Sequence, residues 1–115
     1  MIRIVDITSA EHYQWGAASD GWHLLKRDDL SVIQECMPPG DAEKRHFHAQ
    51  ARQFFYVLAG RAVIEVDGSR FELSAGQGIE VAPGAQHQFL NESSESVAFL
   101  VVSSPHSHGD RTEVE

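Results

Sequence analysis

Short apolar stretches broken by turn residues run along almost the whole chain, and this punctuation limits the fold more than any other feature. Ile2 to Ile7 reads as an edge strand, and Thr8-Ser9-Ala10-Glu11 has the form of a capping box that starts one helical turn. Trp22 to Leu25 and Leu30 to Met37 read as strands around the polar turn Lys26-Arg27-Asp28-Asp29, and Pro38-Pro39-Gly40 stops the second. Further on, Arg45 to His48, Gln53 to Leu58, Ala62 to Val66, Arg70 to Leu73, Ile79 to Val81, His87 to Leu90 and Val97 to Ser103 have strand character, the last being apolar enough to be central. Asp67-Gly68 is a two-residue hairpin signal. Gly60, Gly76 and Gly84 fall at turns where a positive φ is expected. Strands this short and numerous, with almost no helix, predict an all-β jelly-roll barrel, one domain over residues 1–115. From about residue 104 the chain turns polar, either as a frayed end or as a flap across the mouth of the barrel.

A chain of 115 residues, 42% of them hydrophobic, has enough apolar surface for one buried core. No apolar run approaches the roughly 20 residues of a membrane helix, and Met1 to Asp6 lacks the apolar centre of a signal peptide. These features point to a cytoplasmic protein with no membrane partner. Cys36, the lone cysteine, excludes an internal disulfide framework and reads as a small buried residue. The formal charge of −8 repels phosphate backbones, so nucleic acid is not an expected partner.

Seven histidines are many for this length, and their placement matters more than their number. His46 and His48 sit two apart on an expected strand, so their side chains share a face, roughly 6.5–7 Å apart along it. Gln53 opens the next strand after the short connection Ala49 to Arg52, and a hairpin there would set it beside the pair. His87 is distant in sequence, but a closed barrel brings it opposite. Three imidazoles and one oxygen donor suit a first-row divalent ion with open positions for water or substrate. The His-x-His pair alone is weak evidence, since two exposed histidines on a strand are common.

The spacing around these residues is more specific. Gly40, His46, His48, Gln53 and Gly60 fit the first motif of the cupin family, with glutamine where that motif usually has glutamate. Gly76, Pro83, Gly84, His87 and Asn91 fit the second, with Ala82 in place of its first proline. Residues 40 to 60 and 76 to 91 thus resemble a small RmlC-like cupin. The resemblance implies a barrel of about six to eight strands with a metal inside. It implies one divalent ion (Fe, Mn, Ni, Zn or Cu) held by His46, His48, Gln53 and His87, and a homodimer formed through the Ile2 to Ile7 strand. The expected activity is that of a metal-dependent enzyme on a small molecule, with dioxygenase-type oxidoreductase chemistry foremost. The alternatives are a non-catalytic binding or sensor module, or an isomerase-like cupin acting on a sugar or sugar phosphate. As a direct ligand, a neutral glutamine leaves the ion its full charge, which weakens binding and raises electrophilicity; the alternative is that Gln53 sits back and hydrogen-bonds a metal-bound water.

Side-chain parity orders the rest. Phe55 and Val57 share a face with Gln53 and point inward, while Phe54, Tyr56 and Leu58 point outward. Phe89 shares its face with His87, and core packing is the plainer role for both Phe55 and Phe89. Trp15 and Trp22 read as packing or dimer contacts. Glu35 and His23 are an acid or base behind the site, or simply exposed. Asn91 stabilises a loop. His106 and His108 read as solvated, with the alternative that one caps the pocket. Asp110 and Arg111 pair within the tail, or Arg111 meets an anionic substrate. No catalytic residue is assigned from the sequence.

Overall fold

The computed structural model, which describes residues 2–107 and 109–114, folds into two antiparallel sheets with an apolar core between them. In chain order the strands are β1 (Glu11–Trp15), β2 (Ser19–Lys26), β3 (Ser31–Met37), β4 (His46–Phe47), β5 (Arg52–Ala59) and β6 (Arg61–Val66). They continue with β7 (Ser69–Ser74), β8 (Gly78–Val81), β9 (His87–Leu90), β10 (Val97–Ser104) and β11 (Thr112–Glu113). One sheet has the order β1-β2-β3-β10-β5-β8 and the other β11-β4-β9-β6-β7. The all-β expectation holds, and no helix among the described residues is long and apolar enough to cross a membrane.

The alternation of the sequence explains the layering. On β10, Val97, Phe99, Val101 and Ser103 are buried while the residues between them are not, and this strand lies between β3 and β5. On β5, Phe55 and Val57 are fully buried, whereas Phe54 and Leu58 are exposed, as parity requires. Phe89 from one sheet stacks on Phe55 and Phe99 from the other at centroid distances of 5.6 and 4.0 Å. Met37, Ile64, Val81 and Val97 complete this packing. Each such side chain removed from water contributes about 1.5–3 kcal/mol against the ordering entropy.

The turns carry the expected chemistry. Asp67 and Gly68 have φ of 49° and 87°, the paired positive values that a tight β6–β7 hairpin needs. Gly60, at φ 87°, also passes so close to β10 that a Cβ would stand 2.6 Å from the Ser96 carbonyl oxygen. Both the left-handed backbone and the contact exclude a side chain there.

Four expectations are corrected. Ile2 to Ile7 forms no strand: β1 is the sheet edge, pairing only with β2, so no strand lies beside this segment, and Ile2 and Ile4 stand fully in solvent. Thr8 to Glu11 is not a helical turn. Asp6 closes a turn instead, its carboxylate accepting from the Thr8 amide and hydroxyl and its carbonyl from the Ser9 and Ala10 amides, and Glu11 already opens β1. The strand at Arg45 to His48 shrinks to His46–Phe47. The strand count among the described residues, eleven, exceeds what the family resemblance implied, because β1, β2 and β11 extend the sheets toward both ends of the chain. The end of the tail is paired and not frayed: Thr112 and Glu113 pair with Phe47 and His46.

Candidate metal centre

His46 on β4 and His87 on β9 are direct register partners in one sheet. His87 therefore comes from the adjacent strand, not from across the barrel. Gln53, on β5, belongs to the other sheet, where its partners are Ser103 and Val81. The link from β4 to β5 is thus a crossing between sheets and not a hairpin. His48, just past β4, meets the other two imidazoles, with centroid separations of 4.9 Å to His46 and 5.6 Å to His87, and 4.3 Å between His46 and His87. One nitrogen from each of the three lies within 4.8 Å of the others.

The opposite edge of each ring is held by backbone. His46 Nδ1 donates to the Lys44 carbonyl at 2.7 Å, His48 Nδ1 to the Asp110 carbonyl at 2.7 Å, and His87 Nδ1 to the Ala85 carbonyl at 3.0 Å. A carbonyl can only accept, so each Nδ1 carries its hydrogen and each Nε2 keeps a lone pair. Nε2 of His48 and of His87 is buried with no protein partner among the described residues. Burial also holds all three rings in the neutral form: His46 is pushed down to about 3, and His48 and His87 are lowered for the same reason, each opposed by its backbone bond. Neutral imidazoles with converging, unshared lone pairs are the form in which histidine ligates a metal. The donor set fits an ion, and the three histidines can hold one.

Gln53 extends the pattern. Its Nε2 donates to the Ser103 hydroxyl at 3.1 Å, and its Oε1 is buried with no partner among the described residues. An unpaired buried amide oxygen costs roughly 1–3 kcal/mol unless something binds it.

Asp110 is the residue that sequence reasoning placed wrongly. It does not pair with Arg111 within the tail. Its carboxylate accepts from the Ala49, Gln50 and Ala51 amides, each at 2.9 Å, while its carbonyl takes the His48 proton. These backbone bonds lower its carboxyl pKa and fix the crossing loop that carries His48 toward Gln53.

His46, His48 and Gln53 line a cavity of about 470 Å³. Its apolar lining includes Trp15, Ile33, Phe55 and Val101, and its polar lining includes Tyr13, Glu35, Glu43 and Arg111. Glu35, for which exposure was the plainer expectation, is only 8% exposed and accepts from the Tyr13 hydroxyl at 2.7 Å. Burial, with the negative charge of Glu43 nearby, raises its pKa to about 8, against the lowering effects of the Tyr13 bond and Arg111. Burial raises Glu43 to about 7, opposed by Arg111 and by the Phe89 amide, which donates to its Oε1 at 3.1 Å.

The remaining expectations resolve simply. His23 lines the cavity with its ring 4.9 Å from that of Tyr13, and Trp22 lies against His12 at 5.4 Å. His106 is not among the lining residues, and its amide donates to the Asp28 carbonyl. His108 lies outside the described residues. Asn91 bridges a loop as expected, its Nδ2 donating to the Met37 and Glu95 carbonyls.

Two antiparallel sheets, with three clustered histidines of which His46 and His48 line an interior cavity, define a small β-barrel protein whose residues can hold a metal. The chain belongs to the cupin family: the family model described as "Cupin domain" matches residues 33–103. It is 33% identical over 69 residues to the polyketide synthase CurC of Streptomyces cyaneus, a match that takes in 60% of this chain and 45% of that protein. It is 34% identical over 91 residues to an uncharacterised protein of Streptomyces coelicolor, covering 77% of this chain and 85% of the relative. Among solved structures, the polyketide cyclase RemF from Streptomyces resistomycificus superimposes over 100% of this chain and 87% of its own, with a TM-score of 0.84 at 20% identity, which supports the fold.

Proposed function

We propose that this cupin is a metal-dependent enzyme acting on a small, oxygen-bearing molecule, with His46, His48, His87 and Gln53 as the ligands of one divalent ion. The observation that carries the reading is the set of three Nδ1-to-carbonyl bonds, which turns three Nε2 lone pairs toward one point. Gln53 joins as the oxygen donor because Ser103 engages its amide nitrogen and leaves Oε1 unused. An ion in this place supplies Lewis-acid polarisation of an oxygen on the bound molecule. Its identity among Fe, Mn, Ni, Zn and Cu follows supply as much as affinity. Phe55, Val101 and Ile33 keep the cavity dry on one side, and Glu35 and Glu43 place carboxyls that can hold or release protons near neutral pH.

Those carboxyls favour proton-transfer chemistry on a carbonyl compound, and the likeness to a polyketide synthase component and a polyketide cyclase supports a polycarbonyl ligand. Dioxygenase-type chemistry is the second reading, favoured by a donor set of four neutral groups that leaves a redox ion its full charge. Oxygen consumption by iron-loaded protein with enol and catechol substrates separates the two. The metal itself is tested by elemental analysis of protein purified without an affinity metal column. About one ion per chain is expected, and most of it is lost in His46→Ala. Equal metal content in both proteins rejects the site.

The proposal includes a homodimer. Ile2, Ile4 and Ile7 are exposed next to an unpaired sheet edge, and a second copy gives them a surface to cover. Ile4→Asp is expected to convert a dimer to a monomer by sedimentation, and an unchanged dimer rejects this interface.

A further inference from the structure

Tyr13, Gly21 and Glu35 stand side by side on β1, β2 and β3: Tyr13 is the register partner of Gly21, and Gly21 of Glu35. Residues aligned in this way share one face of the sheet. The Tyr13 side chain lies over Gly21 so closely that any Cβ there would collide with its ring, and its hydroxyl reaches Glu35 Oε2 at 2.7 Å. A glycine inside a strand weakens it, and here its position is explained by the tyrosine that must pass above it. The three-strand arrangement thus delivers a hydrogen-bond donor to one carboxyl. Glu35 makes no ion pair among the described residues, and it faces the same cavity as His46, His48 and Gln53. A buried carboxyl with no cation in direct contact is expensive, and an apolar side chain there would pack at lower cost.

We infer that Glu35 is a catalytic residue, the base that takes a proton from the α-carbon of an enolisable carbonyl compound held in this cavity, and that Tyr13 is its positioning residue. The inference rests on the metal-centred reading for polarisation of the carbonyl. In the step, the Glu35 carboxylate takes the α-proton. The electron pair of the broken C–H bond moves into the carbonyl to give an enolate, and the carboxyl later returns a proton to carbon. Nothing is oxidised or reduced, and in D2O the net change is one hydrogen exchanged for deuterium.

The groups that face Glu35 set the sign of its pH dependence. Burial, and then Glu43 from the segment before β4, hold the proton on; Tyr13 from β1 and Arg111 from the segment before β11 draw it off. His23 from β2 lines the same cavity beside Tyr13. The base form therefore grows as pH rises toward about 8. Removing the Tyr13 hydroxyl takes away a bond to the charged carboxylate, so the base form appears only at higher pH.

The test uses the metal-loaded full chain and ethyl 2-methylacetoacetate in D2O, with exchange at the α-carbon followed by proton NMR. A parallel arm follows the infrared band of the neutral carboxyl of Glu35 with pH, identified by its loss in Glu35→Gln. Wild type is expected to accelerate exchange, Glu35→Gln to lose that acceleration roughly 100-fold or more with its metal content intact, and Tyr13→Phe to keep exchange with both the rate profile and the infrared transition moved to higher pH. No acceleration by metal-loaded wild type, equal rates in wild type and Glu35→Gln, or a Tyr13→Phe profile that does not move would each overturn the inference. Wild type that binds no metal overturns the underlying reading instead, and the infrared arm on metal-free protein still decides whether Tyr13 controls the Glu35 proton.

Discussion

Gln53 and Asn91 are both carboxamides buried inside the sandwich, and they behave in opposite ways. Asn91 uses its whole amide: Nδ2 donates to two carbonyls, and Oδ1 accepts from the Ser93 amide and hydroxyl. Gln53 uses only its nitrogen, on Ser103, and leaves its oxygen idle. The same division runs along the strands themselves. On β5 the inward positions pass from Gln53 to Phe55 and Val57; on β10, in register, they pass from Ser103 to Val101 and Phe99. On β9 they pass from His87 to Phe89. One end of each strand closes a core in which every contact is spent within the protein. The other end buries Gln53 Oε1 and His87 Nε2 with no partner among the described residues. Since unpaired buried groups cost free energy, their concentration at one end marks where the fold gives up stability, and it coincides with the proposed metal site.

If the two ends are independent, damage to the core should leave metal affinity alone. Phe89→Ala removes a fully buried ring and is expected to lower unfolding free energy by about 3–5 kcal/mol in a urea titration. The folded fraction should still bind its ion, and a loss of metal in step with stability would show that the ends are coupled.

The cavity end should instead show its cost through pH. Glu35 is raised from 4.5 to about 8, so its contribution to stability is fully present below about 4.5 and is lost as pH rises through about 8. Each tenfold change in proton affinity on folding is worth about 1.4 kcal/mol, so metal-free protein is expected to lose a few kcal/mol between about pH 5 and pH 9. Glu35→Gln should flatten that slope, and an unaltered slope would remove Glu35 as its cause.

Smaller effects sharpen the picture of the site. Asp110→Ala frees both the crossing loop and the segment whose carbonyl orients His48, so metal affinity is expected to fall about 10–100-fold by chelator competition. Unchanged affinity would make Asp110 a loop clasp with no bearing on the ligand. Gln53→Met is the mildest change, expected to weaken metal binding about tenfold. Because it deletes an unsatisfied oxygen, the thermal midpoint of metal-free protein should hold or rise, and a clear fall would mean that the amide supports the fold.

Much of this was legible in the sequence because it is local or periodic. The His46-x-His48 spacing, the parity of Phe55 and Val57, and the Asp67-Gly68 turn each depend on a few neighbouring residues. The motif spacing around Gly40 to Gly60 and Gly76 to Asn91 also named the three histidines that come together. What was missed depends on partners far along the chain. β1 reads Glu-His-Tyr-Gln-Trp, too polar to announce a strand, and becomes one because β2 supplies its backbone bonds. Glu35 was named as an acid or base behind the site, but its bond to Tyr13, two strands and 22 residues away, was not. Gly21 was the available clue, since a glycine in the middle of an extended stretch asks what passes over it. Ile2 to Ile7 failed for the opposite reason: it has the composition of a strand but no neighbour within the chain to make it one.

The His48 proton rests on an oxygen 62 residues downstream. A nascent chain therefore has all three imidazoles synthesised well before the ring of His48 is locked in its ligating tautomer. Premature termination anywhere between β10 and Asp110 would yield a product with a complete aromatic interior and, on the proposed reading, an unfinished ion trap.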